Sequence, residues 1–135
     1  MIKKFFYIPF LLLLTLSACE SEKLDENAAQ QRVEKLMKDI SNNKFDGIGK
    51  HFTDQFNQNE PVDKKIEKYQ QLKRVLGNLT SMEVISSSPE ANFGEQSKVL
   101  LQYRISYENA TTLEDFTVVK DEGEYRIASH HIKNE

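Results

Sequence analysis

The sequence has one cysteine, no tryptophan, and no internal repeat or low-complexity tract among its 135 residues. A single cysteine cannot form an internal disulfide, so packing alone must stabilise the folded part. A chain of this length can bury enough surface for one small domain with a single core, and a second domain is not expected.

Blocks of like charge are also missing. The 18 basic and 21 acidic residues are interspersed, and Lys3 and Lys4 belong to an N-terminal leader, which leaves the rest of the chain with a net charge of −5. The chain therefore has no basic arm that could hold a nucleic acid backbone or an anionic membrane. We expect no nucleic-acid partner.

Motifs for catalysis and metal binding are absent as well. Glycine-rich phosphate loops, nucleophile elbows and paired metal-ligand motifs do not occur, so no cofactor is predicted. His130 and His131 are adjacent in a predicted strand and point to opposite faces, so they cannot bind one metal ion. His51 and Asp54 could face one another in a helical segment, and we interpret them as a surface ion pair, with an acid–base pair as the alternative.

Residues 1–18 have the three parts of a bacterial export signal. They comprise a basic start, an apolar run over 5–16, and two small residues before the cleavage point. The run is shorter than the roughly 20 residues that a membrane-spanning helix needs, and Pro9 would disturb such a helix. A retained transmembrane anchor is therefore the weaker alternative.

The cleavage point has the sequence Leu16-Ser17-Ala18-Cys19. Ordinary signal peptidase requires a small residue where Leu16 stands, and the tetrapeptide instead resembles the lipobox of bacterial lipoproteins. That resemblance implies a diacylglyceryl thioether on Cys19, cleavage before it, and a further acyl chain on its amino group. Several chains together anchor a protein stably in a bilayer. The alternative is an incidental buried cysteine.

The segment after the cysteine predicts where the protein is held. Residues 20–26 are polar and lack aromatic side chains, so we assign 19–27 to a lipidated tether and 28–135 to the domain. Glu20 stands in place of the aspartate that usually retains Gram-negative lipoproteins in the inner membrane. We therefore expect a lipid-anchored protein at the periplasmic face of the outer membrane.

Helices are predicted in the first half of the domain. A helix over 26–41 carries one apolar stripe, formed by Ala29, Val33, Leu36, Met37 and Ile40. A shorter helical segment, interrupted by Gly47 and Gly49, follows with Phe45, Ile48, Phe52 and Phe56. A third helix starts near Pro61 and ends at Gly77, and its apolar face comprises Ile66, Tyr69, Leu72, Val75 and Leu76.

The second half of the domain alternates apolar and polar residues, which predicts strands over 79–86, 97–108, 111–120 and 124–132. A loop over 86–94 precedes the second strand, whose inward face comprises Val99, Leu101, Tyr103, Ile105 and Tyr107. Short turns between the later strands imply antiparallel neighbours. A phase slip after Ile127 predicts a β-bulge or a strand buried on both faces.

Helices followed by an antiparallel sheet indicate an α+β domain with the helices on one face of the sheet. The segments LKRVLG (72–77), YRISY (103–107), EDF (114–116) and GEYRI (123–127) resemble small bacterial lipoproteins with a nuclear transport factor 2-like (cystatin-like) domain. Tyr125 replaces the tryptophan usual near the start of the final strand. The resemblance implies a four-stranded sheet curved around helices into a cone, often with a pocket, and it implies no particular reaction.

Enzymes of this fold use acids, histidines and tyrosines that line the cone for proton transfer. The resemblance therefore indicates four candidate pocket residues, Tyr69, Tyr103, Tyr107 and His131. Aromatic residues at such spacing are usually core, so we expect a non-enzymatic module that binds a partner protein or a small ligand. The alternatives are an enzyme acting on a small apolar substrate and an accessory factor for assembly of an envelope machine.

Overall fold

The structure, a computed structural model, describes residues 22–135. Helices come first, as α1 (Glu26–Ser41), α2 (Asp54–Asn59) and α3 (Val62–Leu76), with a 3-10 turn at Ile48–His51 before α2. The strands are β1 (Leu79–Glu90), β2 (Lys98–Tyr107), β3 (Thr111–Asp121) and β4 (Glu124–Asn134). They form one antiparallel sheet in the order β1-β2-β3-β4, which confirms the predicted α+β class. No helix within this range is long and apolar enough to cross a membrane.

The first helix matches its prediction in extent and in the face that it buries. All five residues of the predicted stripe are buried in the core. The Asp25 carboxylate caps the helix by accepting a hydrogen bond from the Asn27 amide at 2.8 Å. Leu24 is also buried, because it is the one aliphatic side chain of its segment and packs into the core. The folded domain therefore includes residues that the sequence assigned to the tether.

The second helical segment is divided into two pieces. Gly47 opens the 3-10 turn from the left-handed region with φ 73°, and Phe52 ends it in an extended conformation. Phe52 forms a parallel bridge with Ile127, and the Thr53 amide donates to the Ile127 carbonyl at 3.0 Å. This extended link to β4 separates the turn from α2, which Thr53 caps.

The third helix packs against the core through three residues of its predicted apolar face, Ile66, Tyr69 and Leu72. Tyr69 is buried, but Val75 of the predicted apolar face is 66% exposed. Lys65 is fully buried instead, and its ammonium group donates to the Phe56 carbonyl and to Asn57 Oδ1, each at 3.1 Å. Because Lys65 binds the end of α2, it fixes the rotation of α3 and leaves Val75 outside the core.

The first strand is longer than predicted. Residues 86–89, which were expected in a loop, pair with β2 between Val99 and Gln102. Pro89 is tolerated there because β1 is an edge strand. Thr80 and Ile85 are extra residues in β1 without partners on β2, so β1 is bulged at two positions.

The last strand contains the predicted bulge. Thr117 pairs with Ser129 and Val118 pairs with Ile127, so Ala128 has no partner on β3. The extra residue changes the phase of the side chains along β4. Both Ile127 and His130 are buried as a result, although strict alternation would place them on opposite faces.

Gly77 joins α3 to β1 with φ 82° and ψ −165°, a conformation that favours glycine. A Cβ there would lie 2.9 Å from the Cβ of Glu108. We therefore predict that Gly77→Ala lowers the free energy of unfolding by about 3 kcal/mol. Gly94→Ala is the control: its φ of 77° is similar, but no atom lies within 4 Å of an added Cβ, so it should lose only about 1 kcal/mol. Urea unfolding of both variants tests this, and equal losses would contradict it.

Candidate functional site

A small cavity lies between the helices and the inner face of the sheet. Its volume is about 30 Å³, which leaves room for about two water molecules. Ile40 of α1 and Leu72 of α3 contribute to its apolar wall. Six polar side chains also line it, and four of them are joined by hydrogen bonds, namely Tyr69, Tyr107, Glu114 and His130.

Glu114 of β3 is fully buried among these polar groups. Its Oε1 accepts from Nε2 of His130 at 2.7 Å, and its Oε2 accepts from the hydroxyls of Tyr107 at 2.6 Å and Thr112 at 2.7 Å. Burial opposes ionisation of Glu114, but these partners outweigh burial and hold the pKa of the carboxyl below its ordinary value. The structure therefore contains a buried carboxylate with three donors.

His130 connects this carboxylate to α3. Nε2 donates to the ionised Glu114, and Nδ1 lies 3.0 Å from the Tyr69 hydroxyl, within hydrogen-bond distance. The imidazole also stacks on Phe116, with ring centroids 4.1 Å apart. Burial, together with nearby carboxylates, raises the pKa of Tyr69 and of Tyr107 above its ordinary value, so both hydroxyls keep their protons.

The cavity contains two of the four candidate pocket residues that the sequence indicated. Tyr69 and Tyr107 line it. Tyr103 is buried against Phe116 in an edge-to-face contact and does not line the cavity. His131 is exposed on the outer face of the sheet. Its neighbour His130 takes the inner position, because the extra residue at Ala128 shifts the phase of β4.

A chain of tyrosine, histidine and glutamate can in principle transfer protons. Here every nitrogen and oxygen of the His130 and Glu114 side chains already has a hydrogen-bond partner within residues 22–135. The cavity is also far smaller than the roughly 300 Å³ at which ligand pockets begin. The arrangement suits a structural network that joins β2, β3, β4 and α3.

A second concavity is an open groove of about 520 Å³. It is bounded by α1, the loop after α1, the 3-10 turn and the start of β4. Five basic side chains line it, namely Arg32, Lys35, Lys38, Lys44 and Lys50, against two acidic ones, Asp39 and Glu124. The groove is thus positive in a chain whose net charge is −3, and we call it the cationic groove.

The four lysines of the cationic groove are exposed. Within the part of the chain that the structure describes, no acidic side chain forms an ion pair with any of them. Unpaired cations around a concave surface produce a positive potential that attracts anions. A volume of about 520 Å³ also falls within the size range of small-molecule sites.

Arg32 is held rigidly at the base of the cationic groove. Its Nε donates to the Tyr125 carbonyl at 2.7 Å, and its guanidinium lies 3.0 Å from Nδ1 of His51. His51 is 2% exposed, and its Nε2 lies 2.7 Å from Oδ2 of Asp39. The predicted pairing of His51 with Asp54 was wrong, because the extended link after the 3-10 turn separates them.

The protonation state of His51 follows from these contacts. Burial lowers the pKa of His51, the hydrogen bond to Asp39 opposes that change, and the positive charges of Arg32 and Lys50 lower the pKa further. The neutral ring then accepts from Arg32 at Nδ1 and donates to Asp39 at Nε2. This Asp39–His51–Arg32 chain fixes the guanidinium before any ligand arrives, which is the condition for efficient recognition.

Several sequence predictions lie outside these sites. Leu16, Ser17, Ala18 and Cys19 are outside the described residues, so lipidation stays a sequence prediction. Among residues 22–135, no group of three or more histidine, cysteine, aspartate or glutamate side chains is arranged to hold a metal ion.

No protein-family model matches the chain, and no curated protein matches it either.

Two tyrosines of β2, Tyr103 and Tyr107, provide a matched test of the network. The Tyr107 hydroxyl donates to Glu114, whereas the buried Tyr103 hydroxyl has no hydrogen-bond partner in the described chain. Tyr107→Phe should lower the free energy of unfolding by about 2 kcal/mol, because the carboxylate loses a donor. Tyr103→Phe should leave it unchanged or raise it slightly, because it removes an unsatisfied group. Urea unfolding at neutral pH measures both, and an equal loss in the two variants would contradict the assignment.

Proposed function

We propose that this protein is a lipid-anchored lipoprotein of the bacterial envelope, and that its domain is a non-enzymatic binding module. The leader, the lipobox-like tetrapeptide and Glu20 support an anchor on Cys19 at the periplasmic face of the outer membrane. The order of three helices before a four-stranded meander, together with the bulges in β1 and β4, supports a nuclear transport factor 2-like cone.

The ligand of this module is an anionic group, and its binding site is the cationic groove. One observation carries this part of the proposal: four exposed lysines that form no ion pair within residues 22–135, and the fixed guanidinium of Arg32, converge on one concavity of a net acidic chain. Like charges repel one another, so such a cluster lowers stability unless a counter-charge binds. An anion that enters the groove removes this repulsion.

The second candidate function is an enzyme that acts on a small apolar substrate. The chain of Tyr69, His130 and Glu114 beneath an apolar wall favours it, since active sites often place a charged relay at the base of such a pocket. The cavity volume of about 30 Å³ opposes it, because a substrate could enter only after the helices moved. Binding at the cationic groove requires no such movement.

The anchor is tested by expressing the precursor in a Gram-negative host beside Cys19→Ala. The mature wild-type protein should lack residues 1–18, carry acyl mass and sediment with membranes, because the Cys19 thiol is the acylated group. Cys19→Ala should carry no acyl mass. Intact mass and membrane fractionation measure both properties.

Ser17→Ala is the matched control for Cys19→Ala, because it exchanges one small residue for another in the same motif. It should be processed like the wild type. Identical cleavage and a soluble product for the wild type and Cys19→Ala would contradict the anchor.

The cationic groove is tested with inorganic pyrophosphate as the probe and the mature protein in a neutral detergent. Combined replacement of Lys35, Lys38, Lys44 and Lys50 by glutamine should weaken pyrophosphate binding at least about tenfold, because it removes most of the attracting charge. Isothermal titration calorimetry at low ionic strength measures the change, since salt screens such attraction.

The control for this experiment carries the same change in charge elsewhere. Glutamine replaces Lys64, Lys68, Lys98 and Lys133, none of which lines the groove. This variant should bind pyrophosphate nearly as well as the wild type. Equal weakening in the two quadruple variants would show that only the net charge matters and would overturn the assignment of the site.

A further inference from the structure

The cationic groove lies beside the point where the chain enters the domain. The Asp25 amide donates to the Tyr125 hydroxyl at 2.8 Å, and Arg32 of the groove donates to the Tyr125 carbonyl at 2.7 Å. Glu124, the preceding residue, lines the groove. The start of the folded domain and the floor of the groove are thus fixed to the same residue of β4.

The distance from this entry point to the proposed anchor is short. Leu24 is buried in the core and follows Cys19 by five positions. An extended chain advances at most about 3.6 Å per residue, so the intervening segment can span no more than about 18 Å. An acyl anchor on Cys19 would therefore hold the cationic groove close to the surface of the bilayer.

We propose that the cationic groove binds the phosphate of anionic lipid headgroups in the membrane that carries the anchor. This inference rests on the proposed lipidation of Cys19. Arginine presents a planar fork of donors that matches phosphate oxygens, and lysines add attraction to an anionic surface. Exposed lysines on α1, on the following loop and on the 3-10 turn surround the fixed Arg32 and leave an opening for a headgroup.

The anchor favours lipid phosphate over free phosphate. A tether of this length keeps the headgroups at a high effective concentration around the groove, whereas a free anion must be captured from solution.

The charge distribution also selects one orientation of the domain. Because the net charge of the chain is negative although the groove is positive, an anionic surface attracts the groove and repels the rest.

The test compares lysine reactivity in the mature protein reconstituted into two kinds of vesicle. One contains only phosphatidylcholine, which is neutral overall, and the other also contains phosphatidylglycerol. An amine-acetylating reagent and peptide mass spectrometry report the rate at each lysine. In anionic vesicles, Lys35, Lys38, Lys44 and Lys50 should react at least about threefold more slowly than in neutral ones. Lys64 and Lys68 of α3 should keep their rates, since neither lines the groove.

Flotation of the same samples separates this inference from the anchor. A protein that floats with neutral vesicles but shows equal lysine rates in both vesicles retains the anchor and overturns headgroup binding. Equal slowing of all lysines, including Lys64 and Lys68, overturns it too, because it indicates general attraction to the surface.

A protein that does not float with neutral vesicles lacks the anchor. Headgroup binding then survives only if anionic vesicles retain the wild type and release the quadruple glutamine variant of the groove.

A further sample in neutral detergent with millimolar inorganic phosphate distinguishes the source of the phosphate. If free phosphate slows the four groove lysines as strongly as anionic vesicles do, the ligand is not a lipid.

Discussion

The burial of the Glu114 carboxylate is the constraint on which the domain depends. A charge without solvent access needs hydrogen-bond donors, and these come from Tyr107 of β2, Thr112 of β3 and His130 of β4. His130 in turn holds the Tyr69 hydroxyl of α3. One ionised group thus couples the register of three strands to the position of a helix, and loss of any partner would leave the carboxylate undersatisfied.

Regular periodicity made much of this fold predictable. The apolar stripe of α1 and the alternation in β2 depend only on local spacing, and the structure buries all of those residues except Tyr107, which is half-buried. Glu114 gave no such signal, because two of the donors that stabilise its burial, Tyr107 and His130, lie on neighbouring strands and reach it only through the register of the sheet. Strict alternation from Ile127 would place His131 on the inner face, but the bulge at Ala128 places His130 there instead.

The cationic groove could not be predicted from the sequence either. Its basic residues are separated by acidic and apolar ones along the chain, so no charge block appears. Only the turn after α1 and the 3-10 turn bring Lys44 and Lys50 beside the helix. The structure thereby separates two roles: polar groups beneath α1 and α3 hold the domain together, while unpaired cations at its surface are available to a ligand.

This division of roles depends on Glu114 being ionised, and its carboxyl pKa can be measured directly. A pH titration of side-chain carboxyl carbons by NMR, with the Glu114 resonance assigned by its loss in Glu114→Gln, gives the value. The structure predicts a pKa below the ordinary glutamate value of about 4.3. A pKa above neutral pH would mean a protonated carboxylic acid poised to donate a proton, and would contradict the structural role assigned to Glu114.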